Sequence, residues 1–242
     1  MANAVLSRNG VGALIAALVA LVLAASGCAT SKEEQLRKIQ ARNAYDQGGN
    51  NFREGRVSLG LAALQEAVQL DPENPVYHNA LGVAQLQLRR WPEAQASFEK
   101  AIQLDGAYAE AYHNLGLALA RQGRLDEAIA SYRKALTFPT YPSPELAYHN
   151  MGEAYLRQGK LREAEESLRQ AIQLETKNQF SHYLLGVVLA EAGRKAEAAN
   201  VFRQARDLDP GSSVGLLTVE ALKSLETRYF GHYFLTQVTP LR

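Results

Sequence analysis

The 242-residue sequence predicts an all-α protein, a solenoid of repeated helix–turn–helix units. A ladder of glycines recurs with successive spacings of 34, 34, 36 and 34 residues, at Gly48, Gly82, Gly116, Gly152 and Gly186. Small and apolar residues recur at three- and four-residue intervals, the spacing of an amphipathic helix face. No alternation typical of strands rises above noise between residues 31 and 228. A fixed period of this length indicates one supersecondary unit repeated along the chain.

Alignment on the glycine ladder brings further positions into line. A small residue lies twelve positions after each ladder glycine, a large apolar or aromatic residue sixteen after it, and an alanine nineteen after it. These positions are Gly60, Ala94, Ala128, Ala164 and Ala198, then Leu64, Phe98, Tyr132, Leu168 and Phe202, then Ala67, Ala101, Ala135, Ala171 and Ala205. The small residues are expected where two helices approach closely. Glycine also recurs seven positions after four of the five, where a left-handed residue ends the first helix.

This pattern resembles the tetratricopeptide repeat over residues 41–210. The resemblance implies a right-handed superhelical solenoid within one domain, residues 41–228. We predict five clear repeats followed by a capping helix or sixth partial repeat, begun by Ser212 or Ser213. The predicted repeats lie near residues 41–74, 75–108, 109–142, 145–178 and 179–212, with the capping helix at 213–228.

Residues 1–27 have the organisation of a bacterial lipoprotein signal peptide. Arg8 precedes an apolar run over Val11–Ala25, and small residues lead to Cys28, the only cysteine of the chain. At 15 residues the run is short for a membrane-spanning helix, which needs about 20. We therefore expect cleavage before Cys28 and attachment of diacylglyceryl and N-acyl chains such as palmitate to this residue. An ordinary secretory signal with a free cysteine, or an uncleaved anchor, is the alternative.

The segments that flank the repeats are short. Residues 28–40 form a charged tether that we expect to join the first helix, and residues 229–242 form an aromatic C-terminal tail that is either packed or a contact patch. By analogy with bacterial lipoproteins, Ala29 after the lipidated cysteine favours the outer membrane, with the repeats facing the periplasm. The acyl chains would then hold the protein stably at the membrane.

Composition and motifs argue against catalysis and nucleic-acid binding. The formal net charge is only +1, so no strong field attracts nucleic acid. The histidines at equivalent repeat positions, His78, His113, His149 and His182, are expected too far apart to share a metal ion. No nucleophile, acid–base or phosphate-binding motif is found. We predict no enzymatic activity, no cofactor and no small-molecule substrate.

The first helix of each repeat is expected to line a groove that binds a protein partner. Its floor would be apolar, with imidazole and amide groups beside it, and with Arg53, Arg121 and Arg157 at the rim. The alternative is that the superhelix itself or the C-terminal tail buries part of this stripe. The candidate groove residues are Phe52, Asn79, Val83, Leu86, His113, Asn114, Leu117, His149, Asn150, Leu156 and Val187.

The long step between Gly116 and Gly152 carries a more specific resemblance. It contains Tyr141-Pro142 and then Tyr148 through Gly152. Together with the lipoprotein signal, this break resembles the type IV pilus biogenesis lipoproteins PilF, PilW and Tgl, known as pilotins. The resemblance implies an outer-membrane scaffold that promotes localisation and multimerisation of the pilus secretin, and hence motility. A lipid-anchored adaptor for peptidoglycan hydrolases or other envelope complexes is the alternative.

Overall fold

The computed structural model describes residues 32–226, which form eleven helices and no strand. Two compact units are present, and the boundary between them follows Tyr77, inside the third helix. The helices are α1 at residues 32–53, α2 Val57–Leu70, α3 Pro75–Gln87, α4 Trp91–Leu104, α5 Ala109–Arg121, α6 Leu125–Leu136, α7 Pro144–Arg157, α8 Leu161–Leu174, α9 Gln179–Glu191, α10 Lys195–Leu208 and α11 Ser213–Glu226. The predicted all-α repeat class is confirmed.

In the first unit, residues 32–77, helices α1 and α2 pack against each other. Ala41, Ala44, Ala67 and Tyr77 form its buried cluster, and the rings of Tyr45 and Tyr77 lie 5.2 Å apart. Helix α1 already includes residues 32–40, so the described part of the predicted tether continues into the first helix without a break.

In the second unit, from His78 onwards, each helix packs on the next one along the chain. Helices α5 and α6, α7 and α8, and α9 and α10 form the helical hairpins, and α11 packs on α10 and α9. One buried cluster continues from α5 to α11, so each pair covers the apolar face of its neighbour.

The ladder glycines lie where two helices of a pair make contact. A Cβ atom at Gly82 would lie 2.5 Å from the Phe98 ring, and one at Gly186 would lie 2.5 Å from the Phe202 ring. Real Cβ atoms do not approach another atom so closely, so these positions require glycine. The same overlap occurs between Gly48 and Leu64, between Gly116 and Tyr132, and between Gly152 and Leu168.

The capping helix forms as the sequence predicts. Helix α11 begins at Ser213, and the Ser212 hydroxyl accepts a hydrogen bond from the Gly215 N–H at 2.9 Å. Its apolar residues Val214, Leu217 and Leu222 pack against the core of the second unit. Residues 227–242, which include the aromatic tail, lie outside the described residues.

The longer step of the glycine ladder, from Gly116 to Gly152, contains a seven-residue loop, residues 137–143, between α6 and α7. The loop folds back onto α5. Tyr141 is buried and its hydroxyl is hydrogen-bonded to His113 Nδ1 at 2.8 Å. The Phe138 ring stacks on Tyr112, with 5.7 Å between centroids. The extra residues therefore contribute two aromatic rings to the packing between the third and fourth repeats.

The turn between the two helices of each pair contains a residue in the left-handed conformation, with a positive φ. Four turns use glycine, and the fifth uses Arg89, whose φ is 58°. The four glycines, with φ between 71° and 79°, are Gly55, Gly123, Gly159 and Gly193. A left-handed conformation costs a residue with a Cβ atom roughly 1–2 kcal/mol.

We therefore expect Arg89→Gly to raise the free energy of unfolding by about 1 kcal/mol, because it removes this strain. Gly123→Ala should lower it by a similar amount. The neighbouring Arg90, with φ of −88°, provides the control, because Arg90→Gly relieves no strain. Urea denaturation followed by circular dichroism measures all three. A gain of the same size from Arg90→Gly would show that strain is not the cause.

Candidate functional site

The predicted groove residues of the second unit lie on the first helices of the pairs. We call the surface formed by α5, α7, α9 and the part of α3 from His78 onwards the first-helix face. Val83, Leu86 and Leu117 are half-buried on it. Leu156 and Val187 are 1% and 0% exposed, so their side chains belong to the core. The function of this face as a partner groove stays a prediction.

Phe52, the groove candidate in the first unit, is packed against helix α2. A Cβ atom at Gly60 would lie 2.6 Å from the Phe52 ring. This contact explains why glycine stands at position 60, where the other repeats have alanine. Phe52 is half-buried, so part of this residue remains accessible.

Amide side chains connect the first helices of the second unit. Asn114 Nδ2 on α5 donates a hydrogen bond to Asn79 Oδ1 on α3 at 2.9 Å. Asn79 Nδ2 donates in turn to the Tyr108 hydroxyl at 3.2 Å. Amide groups that were predicted to face a partner are thus used between repeats, where they fix the position of one helix against the next.

Two histidines form further hydrogen bonds between the first helices of successive pairs. Asn150 Nδ2 lies 3.4 Å from His113 Nε2, and His149 Nδ1 is hydrogen-bonded to Ser181 Oγ at 2.8 Å. Burial and, to a smaller extent, the nearby His149 together lower the pKa of His113 to about 4. Burial likewise lowers the pKa of His149 to about 4. Both imidazoles are therefore neutral near pH 7 and act as packing and hydrogen-bonding groups.

A charged cluster lies between α5 and α7 on the first-helix face. Its members are Arg121, Glu153 and Arg157, and the apolar residues Leu117 and Ala120 lie beside them. Burial raises the pKa of Glu153, and the two guanidinium groups act in the opposite direction. We call these three charged residues the Arg–Glu–Arg cluster.

The sequence predicts Arg121 and Arg157 at the rim of the groove, but the candidate groove residues include neither these arginines nor Glu153. Arg121 and Arg157 each lie five residues after a ladder glycine, and Glu153 lies one residue after the ladder glycine of the fourth repeat. Positions one and five share a helix face. Alignment of neighbouring repeats would therefore have placed the three charges together.

The described residues contain neither a metal site nor a membrane span. Across residues 32–226 no three His, Cys, Asp or Glu side chains are grouped so that they could hold a metal ion. None of the helices in that range has both the length and the apolar character that crossing a bilayer requires. Cys28, the predicted lipid-attachment residue, lies outside the described residues.

The tetratricopeptide repeat model matches residues 45–94, 79–143 and 149–213. No curated protein sequence matches the chain significantly. Solved structures share its fold. PilF of Pseudomonas aeruginosa is similar with a TM-score of 0.68 and 19% identity, over 78% of this chain and 88% of that one.

Two other solved structures show the same likeness. PilW, described as a widely conserved type IV pilus biogenesis factor, is similar with a TM-score of 0.69 and 22% identity, over 81% of this chain and 96% of that one. YrrB, a repeat protein of the same family with an unusual peptide-binding site, has a TM-score of 0.60 and 18% identity, over 78% of this chain and 97% of that one.

Proposed function

Because the chain belongs to the tetratricopeptide repeat family, whose members are typically non-enzymatic adaptors, we propose that it is a pilotin-like scaffold of type IV pilus biogenesis. In this proposal, acyl chains on Cys28 hold the protein at the outer membrane. The repeats bind subunits of the pilus secretin and promote their localisation and multimerisation. Pilus assembly and motility depend on that step.

The observation that carries the proposal is the combination of a lipoprotein signal with this repeat fold. The apolar run ends in small residues directly before the single cysteine, Cys28. The likeness to PilF and PilW supports the assignment to pilus biogenesis, and the Tyr141-Pro142 break in the sequence supports it independently.

No covalent chemistry is required of such a scaffold. A lipid anchor and a repeat surface on one chain raise the local concentration of bound subunits at the membrane. Assembly of subunits held close together is favoured over assembly from dilute solution. The expected contribution of the protein is therefore to the rate and place of multimerisation.

The test is deletion of the gene, followed by measurement of secretin multimers and by pulldown with the tagged protein. We expect loss of heat-resistant multimers, with the monomers still present, and co-purification of the secretin. Normal multimers in the deletion strain would overturn the proposal. Co-purification of peptidoglycan hydrolases without the secretin would favour the envelope-adaptor alternative.

The membrane anchor is tested separately by Cys28→Ser. We expect the variant to lose acylation and to leave the outer-membrane fraction, because the acyl chains rather than the repeats hold the protein there. Ser26→Ala is the matched control, since it keeps a small residue before the cysteine. Membrane fractionation and mass spectrometry of the mature N-terminus measure both variants. Unchanged fractionation of Cys28→Ser would contradict the anchor.

A further inference from the structure

The Arg–Glu–Arg cluster is not explained by the packing of the second unit. Within residues 32–226, neither the Arg121 nor the Glu153 side chain forms a hydrogen bond or an ion pair, although both residues line one depression of the surface. Glu153 is half-buried there. Other arginines of this unit do pair with carboxylates, as Arg194 does with Glu165 at 2.6 Å.

Both arginines line the depression, and both lie close enough to Glu153 to counteract the effect of burial, which raises the pKa of its carboxyl group. Arg121 is the last residue of α5, and Arg157 is the last residue of α7. Arg157 Nη1 donates to the Ala120 carbonyl at 3.2 Å, which holds its guanidinium at the end of α5 and leaves its other N–H groups for a ligand. The half-buried Leu117 and Ala120 form an apolar surface beside these donors.

The charges favour an anionic ligand. Two guanidinium groups surround one carboxyl group, so the cluster has a net positive charge even when Glu153 is ionised. Arginine presents its N–H groups as a planar fork that matches the two oxygens of a carboxylate. A basic ligand would meet two like charges, and a purely apolar ligand would leave the guanidinium groups without partners.

We infer that the Arg–Glu–Arg cluster binds an acidic side chain in a segment of a partner protein, with a neighbouring apolar side chain lying on Leu117 and Ala120. This inference rests on the proposed function as an adaptor and adds the chemistry of the partner segment. It also assigns Glu153 a role. Its carboxyl group weakens the attraction between the site and the ligand, so that binding stays reversible.

The experiment uses two short peptides, acetyl-Leu-Asp-Leu-amide and its Asn counterpart, titrated into the purified full chain in detergent. Binding is followed through the Arg Nε–Hε signals in NMR spectra, which detect weak complexes. We expect the Asp peptide to shift the Arg121 and Arg157 signals saturably and the Asn peptide to shift them far less. Equal shifts from both peptides would overturn the inference.

The variants test the role of each charge. Arg121→Gln should weaken binding of the Asp peptide about fivefold to tenfold, since a charge-assisted hydrogen bond is lost. Arg162→Gln, which removes an exposed arginine of helix α8, is the charge-matched control and should leave the affinity unchanged. Equal weakening by both variants would show only a general effect of net charge and would overturn the site.

Glu153→Gln is expected to change the affinity for the Asp peptide in the direction opposite to Arg121→Gln, which a purely structural role of Glu153 would not produce. Removal of the competing carboxylate should strengthen binding of the Asp peptide several-fold. Weaker binding would show that the ligand contacts Glu153 rather than the arginines. These titrations contain no secretin. Loss of secretin multimers in a deletion strain together with no peptide binding would therefore reject the ligand and keep the proposed function.

Discussion

Acidification from about pH 7 to about pH 4 is expected to lower the free energy of unfolding by roughly 3 kcal/mol for each of two histidines, His113 and His149. Both side chains are buried, and burial lowers the pKa of each to about 4. In the unfolded chain a histidine has a pKa of about 6.5. Between these values the unfolded state binds more protons, so acid favours unfolding.

The free energy of unfolding is therefore not reduced by these histidines above about pH 6.5, and it decreases as the pH falls towards 4. His113 faces the Tyr132 and Tyr141 rings and Asn150, and His149 lies nearby; none of these groups carries a negative charge that would stabilise an imidazolium. The carboxyl groups of Asp126, Glu127 and Glu197 have lowered pKa values, so they titrate below their ordinary range and act mainly at the acid end.

Urea denaturation at a series of pH values measures this effect, with His113→Asn and His149→Asn as comparison variants. Each substitution lowers stability at neutral pH, so the informative quantity is the slope of stability against pH between about 6.5 and 5. We expect each variant to reduce that slope. An unchanged slope in the double variant would show that other groups cause the acid sensitivity.

Gly116→Val is expected to lower the free energy of unfolding by about 3 kcal/mol or more. A Cβ atom at this position overlaps the Tyr132 ring, which is 1% exposed. The ring is packed within the core, with the His113 imidazole 5.5 Å from it, centroid to centroid, so it can move away only by disturbing the packing between the helices. The two helices must therefore separate, and the separation opens the core of the third repeat.

Gly106→Val is the matched control for this substitution. A Cβ atom at Gly106 has nothing within 4 Å, and the residue does not have a positive φ. We expect a change of less than about 0.5 kcal/mol at this exposed site. Thermal or urea unfolding measures both variants. Equal destabilisation would mean that the loss of glycine, rather than the contact with Tyr132, is responsible.

The repeat architecture was predictable because it depends on local sequence. Glycine and alanine spacing identifies the helix contacts, and the αL glycines mark the turns. Arg89 occupies the same left-handed position without being a glycine. The repeat period predicts a turn there, whereas an arginine by itself would not indicate one. The N-cap of helix α11 at Ser212 was likewise predictable, since it involves only neighbouring residues.

The groove was less predictable because the exposure of a side chain depends on what packs over it. Leu156 and Val187 occupy positions equivalent to half-buried groove residues, yet both are enclosed. The pairing of Tyr141 with His113 was also beyond the sequence, because it depends on the path of the 137–143 loop. The pairing of Asn79 with Asn114 depends on the offset between α3 and α5, which spacing does not specify.

The loop at residues 137–143 has a further consequence, for the folding of the chain. Similar repeats can dock one unit out of place, because neighbouring units offer nearly the same surface, and repeat proteins misassemble in this way. The hydrogen bond between Tyr141 and His113 requires one particular pair of neighbours. The loop therefore makes this junction unlike the others, and the correct order of units gains an advantage that misaligned orders lack.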